Sequence, residues 1–189
     1  MATRPESVGP WTDVTSLMVT SDGQKLVAAN ADDTVQQWQL PAASLDFTTA
    51  SKARQYGTNY INVAIVDPTG KNVAVAYLAD TQIYIWDISS GVLERTLTGH
   101  SGDVWSLAYS PNGKLLASGS GNSNTIKHYG PDDTSIIIWD VVTGERRYQL
   151  KGHTDNVQTL AWSKNSQFLA SGSLDGDIRL WDIEKLLPK

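Results

Sequence analysis

The chain has 189 residues, the length of one ordinary globular domain, and 40% of them are hydrophobic. Seven tryptophans and 15 glycines, against two methionines and two phenylalanines, favour short strands joined by tight turns over packed helices. The net charge of -5 disfavours a nucleic-acid partner, and the lack of cysteine excludes disulfides, zinc-thiolate sites and a cysteine nucleophile. No signal peptide or membrane-spanning apolar run is evident, so the sequence predicts an intracellular protein, cytoplasmic or nuclear, with no membrane partner.

The first predicted unit runs from Val14 to Gln39 and sets a pattern that the chain repeats. It consists of an apolar run, a turn at Ser21-Asp22-Gly23, a second apolar run, another turn and a third run that ends in a tryptophan. The last unit, Val157 to Asp182, aligns with it without a gap and brings Leu17 opposite Leu160. Such internal periodicity predicts a repeat architecture. The four tryptophan anchors are Trp38, Trp86, Trp139 and Trp181.

The second unit, Ile61 to Asp87, and the third, Val104 to Asp140, lie between these two. The third unit shows the pattern most clearly, and its predicted strands are Val104 to Ser110, Leu115 to Ser120, Ser135 to Val142 and Arg146 to Leu150. Third strands such as Ile136 to Trp139 are almost continuously apolar, which predicts burial on both faces. Stacked sheets would provide that environment.

Gly-His and Trp-Asp dipeptides accompany the repeats. Gly99-His100 precedes Trp139-Asp140, and Gly152-His153 precedes Trp181-Asp182, in a pattern that resembles the signatures of WD repeats. This resemblance implies an all-β fold, a WD-repeat β-propeller segment of four blades with three to four antiparallel strands each. It implies one domain over residues 1–189, with blades at about 14–52, 60–98, 104–151 and 157–184, and leaves open whether these are half of a larger ring.

The resemblance also implies a buried cluster of His, Ser, Asp and Trp in a complete blade. The matching residues are His100, Ser118, Asp133 and Trp139 in the third unit and His153, Ser171, Asp175 and Trp181 in the fourth, with Ser120 or Ser173 as alternative serines. The first unit has Pro10 and Ala28 at the His and Ser positions, and the second has Val75 at the Ser position. The first two blades are therefore expected to rely on packing alone.

Catalysis is the alternative interpretation of the same residue types, since Ser, His and Asp also serve acyl-transfer enzymes. A nucleophile needs an exposed, strained turn, but Ser118 falls in a predicted strand and no Gly-x-Ser-x-Gly motif occurs. The histidines of the clusters belong to different units and no phosphate-binding glycine motif exists, so neither a metal nor a cofactor is predicted. A propeller enzyme of the hydrolase or oxidoreductase type stays an alternative without candidate catalytic residues.

A narrower alternative is a substrate receptor of a ubiquitin ligase. That subfamily has Arg or Lys two places after Trp-Asp. This chain has Ser89, Val142 and Glu184 there, which disfavours the assignment.

Two insertions interrupt the repeat and are predicted to bind a partner. Gly121 to Asp132 lengthens the third unit, and Ala50 to Asn59 lengthens the link between the first two. The resemblance implies that both emerge at one rim, where aromatic and cationic residues favour protein contacts. The partner-binding candidates are Arg54, Tyr56, Lys127, His128 and Tyr129. The sequence thus predicts a non-catalytic protein-protein interaction scaffold, complex subunit or sensor module whose partner is unknown.

The last expectation concerns ring closure. The fourth unit has no outer strand after Asp182, whereas Thr3 to Val8 precede the first unit where the family places one. If this segment of each copy paired with the fourth unit of the other copy, the two copies would form a homodimeric ring of eight blades. A closed ring of four blades and an open segment are the alternatives.

Overall fold

The computed structural model describes residues 14–30, 34–40, 44–50, 61–122 and 133–186, with residues 44–50 given as backbone only. Within these ranges the chain forms fifteen strands and no helix. No helix in this part of the chain is therefore long and apolar enough to cross a membrane.

The strands form four antiparallel sheets, and in each sheet they lie side by side in chain order. The first sheet contains β1 (Val14–Val19), β2 (Lys25–Asn30), β3 (Thr34–Gln39) and β4 (Ser44–Ala50). The second contains β5 (Ile61–Val66), β6 (Asn72–Tyr77), β7 (Ile83–Asp87) and β8 (Leu93–Leu97). The third contains β9 (Asp103–Tyr109), β10 (Leu115–Gly121), β11 (Ile136–Asp140) and β12 (Arg146–Leu150). The fourth contains β13 (Val157–Trp162), β14 (Phe168–Ser173) and β15 (Ile178–Asp182).

A tight turn reverses the chain between the first two strands of each sheet, and it is formed by a residue with positive φ. In the third sheet Gly113 has a φ of 69° and its backbone N–H donates to the Ser110 carbonyl over 2.8 Å. Gly23 and Gly70 have positive φ at the same point of the first two sheets, but the fourth sheet places Ser166 there with a φ of 59°. Glycine adopts this region freely, whereas a residue with a Cβ is strained in it.

The sheets stack face to face in chain order, with β1 against β5, β5 against β9 and β9 against β13. Three apolar clusters fill the spaces between them. The segment Ile136 to Trp139 is at most 1% exposed and β7 is buried throughout, which confirms the predicted burial on both faces for the third strands of the second and third sheets. The predicted fold class, an all-β propeller segment with three to four strands in each blade, is also confirmed.

Candidate interaction surface

A chain of hydrogen bonds crosses the third sheet. Trp139 Nε1 donates to Ser118 Oγ over 2.7 Å, and Ser118 Oγ lies 2.7 Å from His100 Nε2. His100 Nδ1 in turn lies 2.8 Å from Asp133 Oδ2. With a neutral imidazole, Ser118 donates to Nε2 and Nδ1 donates to the carboxylate, so each group has a partner of the right kind. We call these four residues the tetrad of the third sheet.

The fourth sheet brings its own tetrad together in the same way. Ser171 Oγ accepts from Trp181 Nε1 over 2.9 Å and lies 2.8 Å from His153 Nε2, while His153 Nδ1 lies 2.8 Å from Asp175 Oδ2. The alternative serines make other contacts. Ser120 Oγ donates to the Asp103 carbonyl and Ser173 Oγ to the Asp155 carbonyl, each over 3.0 Å.

The carboxylates of both tetrads stay ionised despite their position between strands. Burial raises the pKa of Asp133, but the hydrogen bonds from His100, Ser135 and the Ser101 backbone outweigh it and hold the pKa well below 3.8. For Asp175 the desolvation is likewise outweighed, here first by the backbone N–H groups of Thr154 and Asp177 and then by His153, so its pKa is also well below 3.8.

The geometry of the tetrads does not suit nucleophilic catalysis. Ser118 is 0% exposed and lies in the middle of β10, so a substrate has no access to its hydroxyl. Ser171 is 2% exposed in β14. In the described ranges no group of three or more His, Asp or Glu side chains is arranged to hold a metal ion. The tetrads act as cross-links within a blade.

The second sheet contains a polar link that the sequence analysis missed. Tyr84 Oη donates to Asp80 Oδ2 over 2.9 Å, and the Gln82 backbone N–H donates to the other carboxylate oxygen over 3.0 Å. The expectation that this blade relies on packing alone, based on Val75, is therefore wrong. A tyrosine four residues after the aspartate was the available signal, since its hydroxyl reaches back across the turn. In the first sheet Ala28 is buried, and Pro10 lies outside the described residues.

A second feature missed from the sequence is a clamp that Asn156 makes on the third sheet. Its Oδ1 accepts from the Asn122 backbone N–H over 2.7 Å, and its Nδ2 donates to the Asn122 carbonyl over 3.0 Å. A Cβ at Gly121 would collide with the Asn156 side chain, so the close approach requires glycine at this position. Asn122 follows the last residue of β10 and is the second residue of the long insertion Gly121 to Asp132, so the clamp fixes the point where the insertion leaves the sheet.

We define the insertion rim as the end of the third and fourth sheets that carries Ser101, Asn122, Asp133, His153 and Asn156. The Ser101 backbone N–H donates to Asp133 over 3.0 Å, and the Asn156 clamp joins the two sheets here. A polar cavity of about 340 Å³ opens at this rim. Polar groups that line this cavity hydrogen-bond to one another. Gln149 Nε2 donates to Ser135 Oγ over 3.0 Å, and Thr134 Oγ1 donates to the His153 carbonyl over 2.6 Å.

The predicted partner-binding residues lie outside the described part of the chain. Lys127, His128 and Tyr129 fall between Asn122 and Asp133, and Arg54 and Tyr56 fall between the ends of β4 and β5. The structure thus describes the attachment points of the first insertion and not its side chains.

Comparison with known proteins identifies the repeats. The family model described as "WD domain, G-beta repeat" matches residues 5–39, 91–140 and 144–182. The chain belongs to the WD-repeat family.

Several curated WD-repeat relatives resemble most of the chain. It is 30% identical to periodic tryptophan protein 2 of Arabidopsis thaliana over 173 residues. This alignment covers 89% of the chain and 17% of that protein. It is 30% identical over 175 residues to pre-mRNA-processing factor 19 homolog 2 of Arabidopsis thaliana, covering 92% and 30%. It is 32% identical over 165 residues to nuclear distribution protein PAC1 of Arthroderma benhamiae, covering 86% and 34%. The chain spans about a third or less of the length of these relatives.

Proposed function

We propose that this WD-repeat segment is a non-catalytic interaction module that presents the loops of the insertion rim to a protein partner. Its role would be that of a scaffold, a complex subunit or a sensor domain. The observation that carries the proposal is the Asn156 clamp, because it holds the base of an insertion that the repeat itself does not require. The buried tetrads supply a rigid frame for that base.

The contacts to the partner are assigned to the two insertions. Lys127, His128 and Tyr129 in one, and Arg54 and Tyr56 in the other, combine the cationic and aromatic side chains that are enriched at binding hot spots. The net charge of -5 disfavours a nucleic acid as the ligand of this module.

The propeller-enzyme alternative receives no support from the described residues, because Ser118 and Ser171 are buried between strands. We infer an intracellular location, in the cytoplasm or the nucleus, which agrees with relatives whose names refer to pre-mRNA processing and to nuclear distribution. A homodimer that completes an eight-bladed ring stays a prediction, since Thr3 to Val8, the segment expected to supply the missing outer strand, lie outside the described residues.

The proposal is tested by site-specific photo-crosslinking followed by binding measurements. A photoreactive amino acid in place of Tyr129 should capture a protein partner, whereas the same group in place of Lys164, in a turn of the fourth sheet, should not. The triple change Lys127→Ala, His128→Ala and Tyr129→Ala should then weaken binding of the captured, purified partner at least about tenfold in calorimetry. Equal crosslinking at the two positions, or an unchanged affinity, would refute the assignment of the rim.

A further inference from the structure

The turn between the first two strands of a sheet, which we call its first turn, has the same design in three of the four sheets. The residue with positive φ follows an exposed Asp or Asn each time. The three pairs are Asp22-Gly23 in the first sheet, Asn112-Gly113 in the third and Asn165-Ser166 in the fourth. The first turns therefore compare an acid with an amide, and a glycine with a serine, on one backbone geometry.

The side-chain oxygen of this Asp or Asn accepts two hydrogen bonds. Asn112 Oδ1 accepts from Ser110 Oγ over 2.8 Å and from the Lys114 backbone N–H over 3.0 Å. The hydroxyl two residues before and the backbone N–H two residues after donate in the same way to Asn165, over 2.6 and 3.2 Å. Donors aimed at an amide oxygen stabilise the negative charge that develops on it when a nucleophile attacks the carbonyl carbon. Both asparagine side chains are activated in this way.

The residue after each asparagine supplies the nearest backbone nucleophile. Asn112-Gly113 is the only Asn-Gly pair in the sequence, and Gly113 has no Cβ to hinder the approach of its nitrogen to Asn112 Cγ. In the closed turn the Gly113 N–H donates to the Ser110 carbonyl over 2.8 Å, so this bond has to open before the nitrogen can react. Such opening is easier in an exposed turn than in the core strands.

The first sheet shows that a first turn accepts a carboxylate in place of the amide. Asp22 Oδ1 accepts from Thr20 Oγ1 over 2.5 Å and from the Gln24 backbone N–H over 2.9 Å. These bonds, that of Thr20 first, hold the pKa of Asp22 below its ordinary value of 3.8, so this carboxylate is ionised at neutral pH. An aspartate at position 112 would therefore find the donors that it needs in Ser110 and Lys114.

We propose that Asn112 is a site of spontaneous deamidation. The Gly113 nitrogen forms a bond to Asn112 Cγ and gives up its proton, the Cγ–Nδ2 bond breaks, and the side-chain nitrogen leaves as ammonia with that proton. The product is a succinimide ring. Water then opens the ring by adding its hydroxyl group to one ring carbonyl and its hydrogen to the ring nitrogen. Opening at Cγ gives aspartate, and opening at the main-chain carbonyl gives isoaspartate.

The two products have different consequences for the third sheet. Aspartate keeps the turn and makes the net charge of -5 more negative by one. Isoaspartate adds a carbon atom to the main chain before Gly113, which displaces the N–H of that residue from the Ser110 carbonyl. The turn lies at the start of β10, whereas the insertion rim lies at its end, so the reaction is separate from the proposed partner binding.

The test is prolonged incubation of the folded chain at neutral pH and body temperature, followed by peptide mapping with mass spectrometry. Asn112 should convert at least about tenfold faster than Asn165, because the two turns share their hydrogen bonds and differ in the residue that follows the asparagine. Circular dichroism checks that the chain stays folded. A synthetic peptide with the sequence of residues 108–116 shows that the conditions allow the reaction.

Two variants exchange the residues that distinguish the turns. Among the described residues, a Cβ at Gly113 meets no atom within 4 Å, and Ser166 shows that a first turn accommodates serine. Gly113→Ser should slow the conversion of Asn112 at least about tenfold, and Ser166→Gly should accelerate that of Asn165 by a similar factor. Equal rates at the two asparagines, a rate at Asn112 that Gly113→Ser leaves unchanged, or an unconverted Asn112 after the peptide has reacted would overturn the proposal.

Discussion

The third and fourth sheets contain the same tetrad but differ in what surrounds it. Trp139 is 1% exposed, because the second and fourth sheets cover the third on both sides and β12 closes its outer edge. Trp181 is only half-buried, and the described part of the fourth sheet has three strands. The hydrogen-bond lengths of the two tetrads agree within 0.2 Å. The tetrad geometry is therefore local to each repeat, whereas we expect the stability that each tetrad contributes to depend on the neighbouring sheets.

The largest effect should come from truncating the tetrad tryptophans. Trp139→Ala should destabilise the chain by about 5 kcal/mol and Trp181→Ala by about 3 kcal/mol, because only the first leaves a fully enclosed cavity. Each also removes the N–H partner of its serine. Chemical denaturation measures both values. Equal losses would mean that the neighbouring sheets do not set the energy of the tetrad.

The stability that the two tetrad carboxylates contribute should depend on pH. The pKa of Asp133 is lower in the folded chain than its ordinary value of 3.8, so its stabilising contribution is present above about pH 4 and is lost as the pH falls below that value. Asp175 behaves in the same way. Asp133→Asn and Asp175→Asn should each be less stable than the wild type at pH 7 and should each lose less stability between pH 5 and pH 3. Parallel pH profiles for wild type and variants would contradict this.

Removing the clamp between the two sheets should have an intermediate effect. Asn156→Ala should cost about 1 to 2 kcal/mol, because the two hydrogen bonds between the Asn156 side chain and the Asn122 backbone are lost. The same loss of free energy should make amide hydrogen exchange at Asn122 at least about tenfold faster. Gln158→Ala, at an exposed residue two positions further on, is the control and should leave this exchange unchanged.

The smallest effect concerns the turn where the fourth sheet departs from the other three. Ser166→Gly should stabilise the chain by up to about 1 kcal/mol, since glycine adopts a φ of 59° without strain. Part of the gain is offset because Ser166 Oγ accepts from the Asn112 backbone N–H over 3.2 Å. A lower denaturation midpoint for this variant would show that the bond outweighs the strain.

The sequence predicted those features that depend on residues close together within one repeat. The third unit's strands were placed to within two residues, because Pro111-Asn112-Gly113 and the apolar run Ile136 to Trp139 are strong local signals. The Asn156 clamp could not be predicted in this way, because it joins residues 34 positions apart across two sheets. The Tyr84–Asp80 bond was missed for another reason, namely that the family pattern drew attention to Val75 alone.

The Asn156 clamp and the Asp133 contacts together fix both ends of one connection. Asn122 makes two hydrogen bonds with the Asn156 side chain, one as donor and one as acceptor, and Asp133 accepts from His100, Ser101 and Ser135. A segment spliced between these two residues would start and finish at defined points, and its length would alter the closure entropy only logarithmically. We therefore expect that this segment of the third blade can be replaced without moving its two attachment points. The connection is thus a suitable site for grafting foreign recognition peptides.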